Sequence, residues 1–292
     1  MSKDKIQQAH DYCKSKVAAS GSSFYYSFMF LAPEQRVAIT ALYAFCREID
    51  DIVDECTDAT IASQKLLWWS SEIDRIFNTT PQHPIGIALA PAVRDFGLQR
   101  LWFDEIIQGM AMDLRYQGYK TFDDLKLYCH CVASTVGMLA ASIFGYSNPN
   151  TLEYAKKLGL AFQLVNIIRD IGEDARRGRI YIPEDELLAF GVSPQEILQL
   201  NLTEPQKFHA LASKLATIAR SYYSDALLAL PPEDRCSQRS GIIMAEIYFC
   251  ILAEIEHDNF MVLNKKISIT PLRKLWVAWR TWRREKKLCQ KL

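Results

Sequence analysis

The chain has 292 residues, of which 49% are hydrophobic, so it can form one large helical domain or two ordinary domains with a sizeable core. Its 34 lysine and arginine residues balance its 34 aspartate and glutamate residues, so no global field favours nucleic acid or an acidic partner. We find no uncharged apolar run of about 18 residues, and the sequence therefore predicts no membrane span.

The N-terminus and the cysteines together indicate a reducing, cytosolic compartment. Residues 1–16 are polar and lack the pattern of a signal peptide. None of the cysteines forms a C-x-x-C pair, so we expect free thiols that pack as small apolar residues. A zinc site of Cys129, His130 and Cys131 is unfavourable, because adjacent helical residues point in different directions. The eight cysteines are Cys13, Cys46, Cys56, Cys129, Cys131, Cys236, Cys250 and Cys289.

Helix start signals recur along the chain. Pro33 with Glu34 opens a long apolar-periodic run, and Thr121 with Asp124 has the pattern of a capping box. Ser193-Pro194 with Glu196 is a stronger capping-box pattern, and Asn148-Pro149 opens the run that ends at Asp174. No strand-like alternation extends over more than a few residues. These features predict one all-α domain of about ten or more helices over 1–270, followed by a basic, Trp-rich tail at 271–292.

The segment YAFCREIDDIVDE at 43–55 places polar side chains in one stripe of an otherwise apolar helix. Tyr43, Arg47, Asp50 and Asp54 stand at i, i+4, i+7 and i+11, which puts them within a stripe about 60° wide. We call these four residues the first row.

The segment QLVNIIRDIGED at 163–174 repeats this arrangement. Gln163, Asn166, Asp170 and Asp174 stand at i, i+3, i+7 and i+11, again in one stripe; we call them the second row. The residues at 172–186 that follow contain two glycines, three arginines and a proline, and they predict a charged loop.

A solvated face with ion pairs would explain one such helix, because Arg47 could pair with Asp50 or Asp51, and Arg169 with Glu173. Two rows facing one cavity would instead crowd four carboxylates together, and their repulsion in a low dielectric requires cations. Aspartate and asparagine oxygens suit Mg²⁺, which is commonly completed by substrate phosphates. The arginines would then donate to phosphate oxygens. The rows therefore predict a Mg²⁺-bound isoprenyl diphosphate, with its hydrocarbon tail in the apolar surroundings.

Five motifs make this pattern specific. They are GSSFYYSF (21–28), YAFCREIDDIVDE (43–55), GMAMDL (109–114), YCHCVASTVG (128–137) and FQLVNIIRDIGEDARRGRIYIP (162–183). With them the chain resembles the squalene/phytoene synthases, the head-to-head class of trans-isoprenyl diphosphate synthases. The resemblance implies a single-domain isoprenoid synthase helical bundle around a central cavity.

Residue roles follow from this resemblance. The residues implied to bind Mg²⁺ bridged to the diphosphates, and so to serve catalysis, are Asp50, Asp54, Asn166, Asp170 and Asp174. Those implied to contact diphosphate oxygens are Ser20, Gly21, Ser22, Ser23, Arg47, Arg169, Arg179, Lys265, where the family often has arginine, and Tyr248. Those implied to line the prenyl channels are Phe24, Tyr43, Val132, Val136 and Gln163. Ordinary core packing is the alternative for the apolar positions.

Tyr128 is the proton-transfer residue that the resemblance implies. The alternative is a buried tyrosine with a satisfied hydroxyl, the commoner situation for a single tyrosine. Val132 and Val136 stand at i+4 and i+8 from it, so Tyr128 is expected to face the same channel.

The implied reaction joins two farnesyl diphosphates to presqualene diphosphate with Mg²⁺ as cofactor and no NADPH expected. VASTVG at 132–137, where phytoene synthases more usually have VAGTVG, and the ending SITPLRKLWVAWR at 268–280 resemble a bacterial branch. That branch stops at presqualene diphosphate and leaves the next steps to partner enzymes of the hopanoid pathway. Phytoene, dehydrosqualene or squalene synthase activity is the alternative, and a non-catalytic prenyl-binding subunit is a second one.

The tail at 271–292 contains eight Lys and Arg residues against one Glu, with Trp276, Trp279 and Trp282 spaced by three. This composition favours a helix lying peripherally on the inner face of the cell membrane. A solvated terminal helix whose tryptophans pack on the core is the equal alternative.

Overall fold

The fold is all-α, which confirms the predicted class. The computed structural model describes residues 3–19 and 24–290, and their regular structure is entirely helical. The α-helices are α1 (Lys3–Ala19), α2 (Phe24–Phe28), α3 (Pro33–Glu55), α4 (Ala59–Asn78), α5 (Pro84–Phe96), α6 (Arg100–Leu114), α7 (Phe122–Cys129), α8 (Thr135–Phe144), α9 (Asn150–Arg176), α10 (Glu184–Phe190), α11 (Pro194–Leu198), α12 (Pro205–Ala229), α13 (Arg239–His257) and α14 (Pro271–Cys289). A π-helical turn, His130–Ser134, joins α7 to α8, and a 3₁₀ turn, Pro232–Asp234, precedes α13.

Local chemistry sets several helix starts. The capping box at α7 is present: Asp124 N donates to Thr121 Oγ1 at 3.3 Å, and Thr121 N donates to Asp124 Oδ2 at 3.0 Å. Pro33 occupies the first turn of α3, as the sequence predicts. The α11 box is not formed, because Ser193 makes no side-chain bond to the helix backbone and its Oγ bonds with Gln195 Oε1.

The charged segment 172–186 is only partly a loop, which corrects the prediction. Helix α9 continues to Arg176, and α10 already begins at Glu184. Gly172 lies within α9, and a larger residue would not fit there because another segment passes close to it. A Cβ on Gly172 would lie 2.2 Å from the carbonyl oxygen of Leu263. The glycine therefore permits close packing rather than a turn.

Helix α9 is the central element, packed against α8, α12, α13 and the π-helical turn. Two glycines let the backbone of α9 approach α8 and the π-helical turn closely. A Cβ on Gly137 would lie 2.6 Å from the carbonyl oxygen of Ala155, and one on Gly159 would lie 2.5 Å from that of Ala133. This contact fixes the second row, further along α9, relative to the π-helical turn.

The basic tail is a helix packed on the domain. Val277 and Ala278 of α14 are buried in the core that α13 also forms. Glu285 is fully buried and accepts from Arg235 at 2.7 and 3.1 Å. Because an unpaired buried charge is costly, this pair holds α14 in one position. Trp282 packs inward, stacked on Phe30 with ring centroids 5.4 Å apart.

The prediction of free thiols is wrong for two of the eight cysteines. Cys236 and Cys289 form a disulfide with a Cα–Cα distance of 5.7 Å. They are 53 residues apart in sequence, and only the packing of α14 beside the start of α13 brings them together. The other six are free.

One stretch corrects the prediction that no membrane-length apolar run occurs. The continuous helical segment Phe122–Phe144 is long and apolar enough to cross a bilayer by length and composition. In the folded chain 61% of its most apolar window is buried. A core helix passes the same test, so the segment is weak evidence for a span.

Candidate active site

The first row lies on α3 along the wall of a cavity. Apolar residues on the other faces of α3, including Ala44, Phe45 and Ile49, are buried in the core and hold the helix in place. Tyr43, Arg47 and Asp50 line the cavity. Arg47 donates to Asp50 at 2.9 Å and also pairs with Asp51 at 2.8 Å.

The second row lies on α9 and continues from the cavity wall toward its mouth. Gln163 and Asn166 line the cavity, and Asp170 follows one turn later. Arg169 donates through Nε to Asp170 Oδ1 at 2.8 Å. The alternative pairing of Arg169 with Glu173 is not found; Glu173 accepts from Lys266 at 2.7 Å.

The two rows face a common space. Arg177 and Arg179, which follow the second row, both reach Asp54 at the end of the first row. The distances to the Asp54 carboxylate are 2.7 Å from Arg177 Nη1 and 3.2 Å from Arg179 Nη1. The Asp54 and Asp170 side chains are only 20% and 19% exposed. The Asp50 side chain is more open, at 41% exposed, and it lines the cavity. The rows therefore border the cavity, and the segment after α9 lies across the space between them.

The electrostatics of this space favour additional positive charge. Burial, followed by repulsion from Asp54, raises the pKa of Asp50 to about 6. Burial, followed by repulsion from Asp170, raises the pKa of Asp174 to about 7. The neighbouring arginines act in the opposite direction and do not offset these effects. A cation between the rows would stabilise both ionised carboxylates.

The donors suit a divalent cation that a ligand completes. Asn166 Oδ1 is buried without a hydrogen-bond partner, and an orphaned acceptor at this position fits a hard cation. Within residues 3–19 and 24–290, no three His, Cys, Asp or Glu side chains converge closely enough to hold an ion alone. Mg²⁺ commonly binds through one or two carboxylates together with substrate phosphates, so both observations are compatible with that ion.

The cavity behind the rows is apolar and has a volume of about 250 Å³. Its polar end carries Arg47, Asp50 and Asn166, and its walls come mainly from α3, α6, α8, α9 and α13. Six of the residues predicted to contact substrate line it: Tyr43, Arg47, Val132, Val136, Gln163 and Tyr248. Charge at one end and hydrocarbon walls elsewhere fit an elongated ligand with an anionic head.

Tyr128 does not line this cavity, which corrects the expectation that it shares a face with Val132 and Val136. It is 4% exposed, and its hydroxyl donates to Asp113 Oδ2 at 2.8 Å. The π-helical turn at 130–134 has more residues per turn than an α-helix and so changes the angle between Tyr128 and the valines, and α-helical spacing does not hold across it. Burial, followed by the charge of Asp113, raises the pKa of Tyr128.

Asp113 is a candidate site residue that the rows did not identify. It is buried near the end of α6 and accepts from Tyr128 and from Tyr181, the latter at 2.9 Å. Arg179 and Asp54 are close enough to influence its pKa, which burial raises. Asp113 therefore connects the tyrosine pair to the space between the rows. The signal in the sequence was a carboxylate in the apolar motif GMAMDL.

Lys265 forms its ion pair outside the rows, and its predicted contact with a diphosphate stays a prediction. Its side chain is 63% exposed and bonds to Asp258 at 3.0 Å. Its neighbour Lys266 pairs with Glu173 and lies 4.0 Å from Asp170. The segment is not helical, and adjacent residues there point in different directions, so a shift of one position exchanges the contacts.

Two further predictions concern Ser134 and the residues at 20–24. Ser134, which distinguishes VASTVG, donates to the carbonyl oxygen of Lys156 at 2.8 Å and does not line the cavity. The assignments to Ser20, Gly21, Ser22 and Ser23, and to the side chain of Phe24, lie outside the described residues.

We expect Mg²⁺ to stabilise the protein more at about pH 8 than at about pH 5. The folded-state pKa values of Asp50 and Asp174 are raised from 3.8 to about 6 and about 7. Metal-free stability therefore falls as the pH rises from about 4 through these values, since ionisation is penalised in the fold. A cation reverses the penalty only where the carboxylates are ionised. Melting temperatures with and without MgCl₂ measure this; an equal shift at both pH values, or an unchanged shift in Asp174→Asn, contradicts it.

Comparison with known proteins agrees with this geometry. Residues 17–273 match the family described as squalene/phytoene synthase. Phytoene synthase 2 of Solanum lycopersicum is 33% identical over 276 residues, covering 92% of this chain and 88% of that relative. The 15-cis-phytoene synthase of Synechocystis sp. is 33% identical over 289 residues, covering 94% and 85%. The crystal structure of a dehydrosqualene synthase with a ligand has a TM-score of 0.85 at 26% identity, covering 97% of this chain and 99% of that one.

Proposed function

The chain belongs to the squalene/phytoene synthase family, and we propose that it condenses two farnesyl diphosphates head to head into presqualene diphosphate, releasing diphosphate. The observation that carries the proposal is the apolar cavity that ends between two facing rows of carboxylates and arginines. A ligand with a polyanionic head and a hydrocarbon tail can occupy both the space between the rows and the apolar cavity. Steps beyond this product would fall to partner enzymes of the hopanoid pathway.

The rows bind the diphosphates. Asp50, Asp54, Asn166, Asp170 and Asp174 would hold Mg²⁺, which when bound supplies Lewis-acid stabilisation of the leaving diphosphate. Arg47, Arg169 and Arg179 stand beside these carboxylates and would donate to the diphosphate oxygens. Such donors act where charge develops as the allylic C–O bond breaks.

The cavity then protects the allylic cation. Its hydrocarbon walls exclude water, which would otherwise capture the cation as an alcohol. Phe162 and Tyr248 stack 4.4 Å apart, and both line the cavity. Aromatic faces stabilise a nearby cation by several tenths of a kcal/mol to about 2 kcal/mol. The C2=C3 double bond of the second substrate attacks the cation, and loss of one proton closes the cyclopropane.

Asp113 fixes the hydroxyl of Tyr128, which is buried next to the space between the rows but does not line the cavity. The Tyr128 hydroxyl donates its hydrogen to Asp113, so the oxygen can take up a substrate proton as its own hydrogen passes to the Asp113 carboxylate. The departed diphosphate is the alternative base. Tyr181 holds the other Asp113 oxygen and limits rotation of the carboxylate.

We expect Asp113→Asn to lower kcat about tenfold to a hundredfold, the scale of a lost proton-transfer or positioning group, with little change in KM. Tyr128→Phe should cost a similar factor. The double variant should cost no more than the larger single effect, because both act through one hydrogen bond. Steady-state kinetics on all three variants measure this, with melting temperatures as a fold control. Additive losses in kcat contradict the coupling, and a normal rate in Tyr128→Phe removes Tyr128 from the mechanism.

Product analysis tests the proposed function. The chain is incubated with farnesyl diphosphate and Mg²⁺, with and without NADPH, and lipid products are separated before and after phosphatase treatment. A C30 diphosphate in both reactions supports the proposal. Squalene that forms only with NADPH, or dehydrosqualene without it, overturns the proposed stopping point.

Phytoene synthase activity is the second candidate, favoured by the phytoene synthases that are 33% identical to this chain. Turnover of geranylgeranyl diphosphate but not farnesyl diphosphate selects it. A non-catalytic prenyl-binding subunit predicts no product from either substrate together with tight binding. The retained rows argue against that third alternative.

A further inference from the structure

Helix α14 has one face that the domain does not cover. Leu272, Trp276 and Trp279 are 80%, 53% and 46% exposed, and Leu275 is 41% exposed. At about 100° per residue these four side chains fall within one stripe, opposite the buried Val277, Ala278, Thr281 and Glu285. We call this stripe, together with Arg280, Arg283, Lys286 and Lys287, the outer face of α14.

The cations of the outer face have no acidic partner. Within the described residues, Arg280, Arg283, Lys286 and Lys287 form no ion pair. Three of them lie over tryptophan rings instead. Arg280 lies 4.8 Å from the centroid of Trp276, Arg283 lies 4.9 Å from that of Trp279, and Lys286 lies 5.0 Å from that of Trp282. The outer face therefore combines amphipathic aromatic rings with uncompensated positive charge.

Other cations of the same helix differ in this respect. Arg273 pairs with Glu254 at 2.6 Å, and Arg284 pairs with Glu246 at 2.9 Å. Both lie at the sides of α14, where α13 supplies the carboxylates. Lys274 also forms no ion pair among the described residues, but it lies over the ring of Tyr26 on α2 and not on the outer face. The four cations of the outer face are the ones that an external anion would meet.

We propose that the outer face of α14 docks on an anionic phospholipid bilayer. Tryptophan prefers the headgroup region, and arginine and lysine beside it bind lipid phosphates. A second copy of the chain is a poorer occupant, because a two-fold interface would place the same four cations against each other. Binding to an anionic bilayer would engage both the exposed tryptophans and the cations that form no ion pair.

Docking would place the cavity close to the lipid. Helix α14 packs on α2 and α13, and these carry the cavity residues Phe28 and Tyr248. Lys274 of α14 lies 6.0 Å from the ring of Tyr26 on α2. One layer of helix therefore separates the docking surface from the hydrocarbon-lined cavity, a short path for an apolar product.

Vesicle co-sedimentation of the full chain tests the proposal without any measure of turnover. Neutral phosphatidylcholine vesicles are compared with vesicles in which part of the lipid is phosphatidylglycerol, at low and high salt. We expect binding to the anionic vesicles, weakened by salt. Arg280→Gln with Arg283→Gln should weaken it by about tenfold or more, since each basic residue near an anionic surface contributes a several-fold factor. Trp276→Ser with Trp279→Ser should also weaken it.

Matched controls remove similar groups elsewhere. Leu188→Ser with Leu228→Ser removes side chains that are 82% and 84% exposed, and Lys65→Gln with Lys120→Gln removes two exposed charges. Both controls should bind like the original chain. Brominated phosphatidylcholine mixed into the phosphatidylglycerol-containing vesicles should quench tryptophan fluorescence, a readout that needs no variant.

Three outcomes overturn the proposal. They are equal sedimentation with and without anionic lipid, losses that are as large in the controls, and absence of quenching by brominated lipid. A dimer in lipid-free solution that the Trp276→Ser and Trp279→Ser variant converts to monomer also overturns it, since the face would then join two copies. None of these results bears on the proposed condensation.

Discussion

Replacing Asp50 or Asp170 by asparagine is expected to lower kcat by about a thousandfold, because metal-assisted stabilisation of a leaving group is worth several kcal/mol. Each carboxylate belongs to a different row, and each lies beside an arginine in the shared space. Asparagine keeps the size of the side chain but removes the charge that binds the cation. Turnover of farnesyl diphosphate at saturating Mg²⁺ measures the loss, and melting temperature verifies the fold.

Glu55→Gln and Glu173→Gln are the matched controls. Each removes a carboxylate from the same helix, one residue beyond Asp54 or before Asp174, but outside the row. Both should keep most of the activity. If Asp50→Asn and Asp170→Asn remain active but Mg²⁺ no longer stabilises them, the rows bind a cation that the reaction does not need. If neither property changes, the metal assignment is wrong.

The two rows could be predicted because helical periodicity is local. Spacing alone placed Asp50 and Asp54 in one stripe, and Asp170 and Asp174 in another. What periodicity could not give is that Arg177 and Arg179 reach across to Asp54, over more than 120 residues of sequence. The choice between ion pairs and a ligand site was also not exclusive. The arginines pair with the row carboxylates and still lie at the mouth of the cavity.

The errors arose where local geometry departs from a regular helix or where distant segments meet. The π-helical turn rotates Tyr128 away from Val132. In the non-helical segment after α13, Lys266 pairs with Glu173 whereas Lys265 pairs with Asp258. The Cys236–Cys289 bond depends on the packing of α14. Asp113 could be recognised in the sequence as an acidic residue in an apolar motif, but its tyrosine partners lie 15 and 68 residues away. No spacing rule connects such positions.

The tail shows how two competing interpretations can both apply. Packing on the core accounts for Trp282, which stacks on Phe30, and for the buried half of α14. It does not account for Trp276 and Trp279, which remain about half exposed beneath unpaired arginines. A helix that is anchored on one side can therefore present the other side to a bilayer.

Gly159→Ala is expected to lower the free energy of unfolding by about 3 kcal/mol, the upper end of typical overpacking costs. Alanine is favoured over glycine in a helix by about 1 kcal/mol, so a helix without neighbours would gain stability. Here the new Cβ would lie 2.5 Å from the carbonyl oxygen of Ala133 and 2.7 Å from Cα of Ser134. Both contacts are backbone atoms of the π-helical turn, which cannot rotate away as a side chain can. Urea unfolding followed by circular dichroism measures the change.

Gly97→Ala is the control for the same substitution in open space. Gly97 has a φ of 62°, and no atom lies within 4 Å of a Cβ built there. Its cost should be about 1 kcal/mol, from the left-handed backbone alone. Gly159→Ala should in addition raise KM, because moving α9 away from the π-helical turn displaces Gln163 and Asn166 at the cavity wall. A cost at Gly159 no larger than at Gly97 would mean that α9 and the π-helical turn separate easily. The close contact between them would then not be what positions the second row.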